Sequence, residues 1–510
     1  MNDVIAMLED DNFMEASIFL NPPGNGVESD EDSDVEDGCS ANHLSSRQLT
    51  APAEFTIKYA ADNVNSLDDD VDSDTAGDTR LSVPDHNPPE SDAEATPMHE
   101  ARPSPSLSSS VPPAVELKWM KKNIPAKTFA GKPVERRFTE LLSPVAIFNA
   151  FFDDDIVEFM VSMTNLYAQR DKGKHGFSTD VNEMRLFLAM LLLTGYVVLP
   201  RRKMYWENSD DVFNKVMSDA MSRNRFEEIL SVLHLCDNQN LDSRDPMAKM
   251  RPLFAQVNQK CLQYFLNEEH LGIDESMLPY YGRHGSKQRI VGKPIRMGYK
   301  MWVLARSEGY VVQFDPYTGA KKSGGTRSSA TSWGLGEHVV LDLLEELPRG
   351  VSYHVFMDNF FTSFRLLNHL HEHNIQATGV IRSNKLGRCS IEPPKSLEKK
   401  DRGFFDQRTD SQGVMTVVGW NDNRSVYVTS NVVGVQPTST VSRWCRKTNS
   451  RINVVQPNLI RKYNKHMGGV DRCDQNISTY RISTRCKKWW WALFAWVPDM
   501  VLQNCWILYR

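Results

Sequence analysis

No C-x-x-C pair occurs anywhere in the chain, and its eight cysteines (Cys39, Cys236, Cys261, Cys389, Cys445, Cys473, Cys486 and Cys505) are scattered singly. That spacing excludes a disulfide framework and a zinc ribbon, and it fits a reducing compartment. Long apolar runs are missing as well. The most apolar stretch, Leu186 to Pro200, spans 15 residues, short of the ~20 that a bilayer requires, and reads as a buried helix. The opening MNDVIAMLEDDNF lacks the basic and then apolar layout of a secretory signal. Cytosol or nucleus follows, with no membrane partner. Basic residues are the last scarcity, and it is local: residues 1–116 hold 4 Lys+Arg against 26 Asp+Glu, a balance of −22. With so little apolar surface to offset the entropy of ordering, residues 1–117 are expected to form a disordered acidic tail, a solubilising or self-screening arm. Ser29 and Ser33, inside ESDEDSDVED, are candidate sites for acidophilic kinases.

Beyond residue 116 the balance reverses to 55 basic against 39 acidic residues, or +16. A basic folded body points to a polyanion, usually nucleic acid. Residues 118–270 carry helix-period apolar patterns broken by short polar loops. The clearest is MSRNRFEEILSVLHL, where Phe226, Ile229, Leu230 and Leu233 recur at helical spacing. From Leu271 the pattern changes to short β-rich runs: LGID, YKMWVLA, YVVQF, YHVFM and QATGVIR, with helix-like runs at 337–347 and 363–373. Strands mixed with helices in this order predict an α/β domain with a mixed sheet. Residues 384–455, polar and β-rich, interrupt it as an inserted subdomain. Residues 456–510 complete the domain.

Two acids end predicted strands: Asp274, followed by Glu275 and Ser276, and Asp358, followed by Asn359. A strand-end carboxylate is held rigidly yet faces solvent, which suits a metal ligand, although turn and capping roles are the commoner use. The segment GGVDRCDQ adds Asp471 and Asp474, three apart at the start of a helix and so on one face, where they share a cation or complement the helix N-terminus. Carboxylate oxygens are hard ligands that suit Mg2+ or Mn2+, and a pair of such ions clamps the attacking and leaving oxygens of a phosphodiester in line. Water or a DNA 3′-hydroxyl then attacks, with no nucleophilic side chain and no small-molecule substrate.

Basic residues surround these acids. Candidate phosphate contacts are Arg283, Lys287, Arg289, Lys293, Arg296 and Lys300 in YGRHGSKQRIVGKPIRMGYK, and Arg481, Arg485, Lys487 and Lys488 ahead of an aromatic helix. Such contacts give salt-dependent affinity that is largely independent of sequence. In WWWALFAW the pairs Trp491 and Phe494, Trp490 and Phe494, and Trp489 and Trp496 are three, four and seven apart, a core-packing period more than a base-stacking one.

Five segments in order now resemble the piggyBac-type transposases. They are EMRLFLAMLLLTGYVVLP, MSRNRFEEILSVLHLCDN, IDESMLPYYGRHGSKQRIVGKPIRMGYKMW, VFMDNFFTSFRLL and YNKHMGGVDRCDQNISTYRISTRCKKWWWALFAW. The resemblance runs from about Trp119 to the C-terminus. It implies a ribonuclease H-like fold, a preceding helical region for dimerisation and DNA binding, and an insertion after the second acid. Matched by motif, Asp274, Asp358 and Asp471 are the three catalytic aspartates and Asp474 a nearby fourth acid. The implied reaction is metal-dependent cut-and-paste transposition of double-stranded DNA at TTAA targets, by a nuclear homodimer. Many family members continue into a Cys/His-rich zinc domain, and with no such cluster before Arg510 none is expected here. Two function classes are therefore in play: a transposase or active descendant, favoured by the complete acid set, and a domesticated, non-transposing DNA-binding or chromatin-associated protein.

Overall fold

The computed structural model describes residues 13–20, 53–59, 107, 117–123, 143–266, 269–291, 293–319, 333–349, 351–446 and 448–510. Two compact units divide the chain, 1–104 and 105–510. In the first, β1 (Phe13–Leu20) pairs antiparallel with β2 (Ala53–Tyr59), a described exception within the expected disordered tail. The remainder of that tail up to residue 116, apart from Leu107, lies outside the described residues, as do Ser29 and Ser33.

The second unit begins with β3 (Trp119–Met120) and the helices α1 (Pro144–Phe151), α2 (Asp154–Leu166), α3 (Val181–Tyr196), α4 (Lys215–Ala220), α5 (Arg223–Val232) and α6 (Arg251–Gln263). Polar caps set where most of them begin. Ser143, Asp153, Asp180, Asn214 and Ser222 each accept a backbone N–H from the first turn of the helix that follows, which satisfies a donor that would otherwise be orphaned. The apolar run at 186–200 lies largely in α3, whose Met184, Phe187, Leu188, Met190 and Leu191 are buried. Among the described residues no helix is long and apolar enough to cross a membrane.

The strands follow: β4 (His270–Pro279), β5 (Gln288–Arg289), β6 (Met297–Arg306), β7 (Val311–Pro316), β8 (His354–Met357), β9 (Gln376–Val380), β10 (Phe405–Asp410), β11 (Thr416–Asn421), β12 (Ser425–Ser430), β13 (Ser439–Cys445) and β14 (Ser450–Gln456). Between them lie α7 (Leu335–Glu345), α8 (Phe364–Glu372) and α9 (Pro394–Leu397); after them come α10 (Asn458–His466), α11 (Gly469–Thr479) and α12 (Trp491–Tyr509). The centre of the sheet runs β7-β6-β4-β8-β9, with β4, β6 and β7 antiparallel and β4, β8 and β9 parallel. Three antiparallel strands followed by two parallel ones is the arrangement that the ribonuclease H-like expectation calls for.

The insertion extends this sheet. Strand β12 pairs antiparallel with β9, then β11, β10 and β3 continue it, and with β5 paired to β6 the sheet has ten strands. It keeps small cores of its own, one around Val418, Trp420, Val428 and Leu459, another around Ile381, Leu397, Val417 and Tyr427. In this unit β13 and β14 stand apart, as a two-stranded ribbon. In the aromatic helix Trp490, Trp491 and Trp496 are buried, in keeping with the core-packing period. α12 buries residues on all sides and packs against α1, α3 and β4, tying the helical region to the sheet.

Leu107 falls within the stretch expected to be a disordered tail. Instead its side chain is fully buried in the main core, its N–H donates to Glu345 Oε2 at 2.8 Å, and its carbonyl accepts from His369 Nε2 at 2.8 Å. One leucine in the serine-rich run PSPSLSSS is thus seated between α7 and α8 by its side chain and both backbone groups. Leu107→Ala is expected to cost about 2–5 kcal/mol, the usual range for a buried leucine. Urea unfolding of the full chain checks this; an unchanged midpoint would mean that the residue is not seated there.

Candidate active site

The parallel register of β4 and β8 decides where the first two acids meet. Ile273 pairs with Met357, so Asp274 and Asp358 occupy the next step on neighbouring strands, roughly 5 Å apart in backbone spacing. Alternation assigns the face. Along β4, His270 stacks on His466 with ring centroids 3.9 Å apart, a Cβ at Gly272 would lie 3.1 Å from the Met467 carbonyl, and the Ser276 hydroxyl donates to Asp474 Oδ1 at 2.6 Å. The even-numbered positions therefore face α10 and α11, and Asp274 stands between two of them.

The third element is brought in by close backbone contact. Gly469, at the start of α11, sits so near the end of β6 that a Cβ would collide with the Arg306 carbonyl oxygen. No side chain fits there, which accounts for a glycine at this point of HMGGVD. Two residues on, Asp471 is exposed in the first turn of α11, while Asp474 is half-buried against Ser276. Asp274, Asp358, Asp471 and Asp474 are thus gathered where α11 meets the central strands β4 and β8, with Glu275 next to Asp274 in the chain.

Crowding shows in their protonation. Burial first and the neighbouring Glu275 second push Asp274 up to about 7. Burial pushes Asp474 up to about 6 against the stabilising Ser276 hydroxyl. Asp358 is also raised by burial, although the Phe360 backbone N–H donates to its carboxylate. Tyr463 of α10 is held above the ordinary phenol range by burial and then by the fields of Asp358, Asp274 and Asp471.

Hard oxygen donors in mutual repulsion are the donor set that Mg2+ or Mn2+ prefers. Among the described residues no three His, Cys, Asp or Glu side chains converge on one point. Asp274, Asp358, Asp471 and Asp474 are the side chains that would hold such an ion, with water completing its shell.

The candidate phosphate contacts divide into two groups. Arg283, Arg289, Arg296, Arg485 and Lys487 are exposed. The others face inward. Lys293 lies 3.4 Å from Glu275; burial pulls its pKa down, but Asp274, Glu275 and Asp471 outweigh that and hold it above the ordinary lysine value. The Lys300 ammonium lies 4.0 Å from the centroid of the Trp302 ring and also faces Phe360. Lys287 Nζ donates to the Gly282 carbonyl at 2.7 Å. Lys488 Nζ donates to the carbonyls of Leu230, Ser231 and Leu233 at 2.8–3.0 Å, so it closes the C-terminus of α5, a favourable place for a cation. Arg481, half-buried, exerts its field on Asp474 and Asp499.

Several residues of this site carry no mark in the local sequence. Glu275 reads there only as a neighbour of Asp274. Arg382 Nε donates to Asn359 Oδ1 at 2.9 Å, and Lys385 Nζ to the Thr362 carbonyl at 3.1 Å, so the end of β9 flanks the second acid. The parallel β8–β9 register is the signal that would have found them, since Gly379 pairs with Met357. The segment from Tyr480 to Trp490 is pinned by groups from other parts of the chain. Asp499 of α12 accepts from the Ile482 N–H at 3.2 Å, the Ser483 hydroxyl donates to the Thr194 carbonyl at 2.7 Å, and the Trp491 indole donates to the Thr484 carbonyl at 2.7 Å.

Known proteins share this chain's sequence and fold. Residues 143–506 match the family model described as Transposase IS4. Over its whole length the chain is 39% identical to the human PiggyBac transposable element-derived protein 3, of which it covers 84%. It is 37% identical, over 77% of its length, to the human PiggyBac transposable element-derived protein 2, covering 66% of that protein. Among solved structures it matches a piggyBac transposase in a synaptic complex with hairpin DNA, with a TM-score of 0.57 and 26% identity over 73% of this chain and 75% of that one.

The pinned segment separates a cation that holds the fold, Lys488, from the exposed Arg485 and Lys487, the candidates for phosphate. Lys488→Met should lower thermal stability, while Arg485→Ala and Lys487→Ala should each reduce the salt dependence of DNA affinity by about one unit of slope and leave stability nearly unchanged; a lowered slope in the Lys488 variant would place that side chain on phosphate. The same segment carries a pH dependence. Burial pushes Asp499 up to about 8. A carboxyl whose folded pKa exceeds its unfolded value is favoured in its protonated form, so its contribution to stability falls as pH rises between about 4 and 8. Asp499→Asn, which keeps an acceptor for Ile482, should flatten the decline of Tm between pH 5 and pH 8. Equal slopes for the two proteins would exclude Asp499 as the source.

Proposed function

The chain belongs to the piggyBac transposase family, and on that footing we propose that it cleaves and joins DNA strands at the carboxylate centre formed by Asp274, Asp358 and Asp471. The observation that carries this reading is the register pairing that sets Asp274 beside Asp358, with Asp474 of α11 tied back to Ser276 of β4. Asp274, Asp358, Asp471 and Asp474 would hold Mg2+ or Mn2+. Bound ions supply Lewis-acid activation of the attacking oxygen and stabilisation of the leaving one. The chain's own residues hold the acids in place: the Phe360 N–H and the 359–362 turn orient Asp358, and Ser276 orients Asp474.

The substrate is double-stranded DNA, bound through phosphates by the exposed Arg283, Arg289, Arg296, Arg485 and Lys487. Support for a DNA partner comes from the solved relative, which is a synaptic complex with hairpin DNA. Cut-and-paste transposition with TTAA as target, a homodimeric state and a nuclear location complete the reading. A second reading has its own support: the human relatives are named as transposable element-derived proteins, which fits a descendant that keeps the fold and binds DNA without moving it.

The two readings part in one assay. With Mg2+ and a DNA duplex carrying the element's terminal repeats, the chain should nick strands, and Asp358→Asn should lose at least about 100-fold in rate while keeping its DNA affinity. Wild-type chain that binds the duplex and leaves it intact would select the non-transposing reading.

A further inference from the structure

The connection between β5 and β6 is a short loop closed at its base, where the Ile290 N–H donates to the Arg296 carbonyl at 2.9 Å. Its neighbours point outward: Val291 is 80% exposed, and Pro294 and Arg296 are exposed too. Lys293 turns the other way. It is 30% exposed and places its ammonium 3.4 Å from Glu275. Its field lowers the pKa values of Asp274, Asp358 and Asp474, and in return Asp274, Glu275 and Asp471 stabilise its charge. Its ammonium is therefore ion-paired with the carboxylate next to Asp274 and lies within electrostatic reach of the rest of the centre. A lysine chosen only to bind phosphate has no reason to fold inward from an exposed loop, where burial opposes its charge.

We propose that Lys293 is the resident counter-ion of the carboxylate centre, a tethered cation that offsets its charge before divalent ions arrive and withdraws when they enter. This deepens the metal-dependent reading above and rests on it. The physical case is competition for charge. Five carboxylates gathered around the central strands β4 and β8 repel one another, and a single positive charge relieves that repulsion only in part. Divalent ions relieve it more fully, and an ammonium then left among them meets like charge. The loop permits the exchange, because its base is hydrogen-bonded while its tip is solvated. Once outside, the same ammonium joins Arg289 and Arg296 on the surface assigned to phosphate. Lys293 would thus link metal entry to DNA contact, and it would lower metal affinity in the absence of DNA.

The test uses the full chain without DNA, titrated with Mn2+ and followed both by thermal shift and by the electron paramagnetic resonance signal of free Mn2+. Lys293→Met should melt lower than wild type when metal is absent. It should bind Mn2+ with a midpoint at least about threefold lower, because no tethered cation has to leave. Lys293→Arg, which keeps the charge, should stay close to wild type. An equal or higher midpoint for Lys293→Met overturns the proposal and leaves the metal centre standing. Absence of Mn2+ binding in wild type and in Lys293→Met alike removes the metal centre and the proposal with it. The resonance signal reports bound metal even if the methionine variant is too unstable for a clear melting curve.

Discussion

Five carboxylates held around the central strands of a partly desolvated sheet repel one another, and much of the surrounding structure is arranged around that repulsion. Left alone, such a cluster would take up protons or spread apart. Backbone geometry prevents spreading: Asp274 and Asp358 are locked in adjacent register, and the Gly469 contact with β6 brings α11 within reach of β4. Protonation is the remaining outlet, and it is favoured here first by burial, which raises Asp274, Asp474 and Asp358 above the ordinary carboxylate range. A centre in that condition is a strong sink for cations, whether ammonium groups or divalent ions.

Holding the centre together requires support from outside the sheet. α12 packs on α1, α3 and β4, and its Asp499 fixes the segment that follows α11. Thr194 at the end of α3 fastens the same segment from the other side, where a Cβ at Gly195 would collide with the Tyr480 carbonyl oxygen. Lys488 then ties it to the end of α5. Helical region and sheet therefore share one buried seam. A substitution in that seam acts on the acids through the position of α11, with no contact to them.

Much of this is legible in the residues. The β-rich runs locate β4, β8 and β9, and the aromatic period of α12 gives its burial; Asp358 does follow the end of β8, whereas Asp274, expected to end a strand, lies in the middle of β4, because that strand continues to Pro279 in its pairing with β6. Two kinds of fact are not legible. Lateral register, which sets Asp274 beside Asp358 and brings Arg382 to Asn359, depends on pairing between strands that are separated in the chain by helices, and local pattern carries no information on it. Direction of long side chains is the other. Lys293 and Arg296 are both cations of one basic segment and look alike in sequence, yet they point opposite ways, because the closed loop base turns one of them toward the acids. Leu107 belongs to the same class: a lone leucine in a serine run has no periodicity to reveal that α7 and α8 leave a place for it.

The charge of the body takes on a different meaning once these directions are known. Its +16 suggests a surface for a polyanion, but part of that charge is turned toward the protein itself. Lys293, Lys300 and Arg382 act on the carboxylates, and Lys488 is bound to helix carbonyls. The outward set, Arg283, Arg289, Arg296, Arg485 and Lys487, is smaller, and it is the set proposed for phosphate. Net charge counts both sets equally, whereas affinity for DNA draws only on cations that reach phosphate and displace counter-ions from it. The salt dependence of binding should therefore track the outward set, and the inward cations should be felt through stability and through the affinity of the acids for metal.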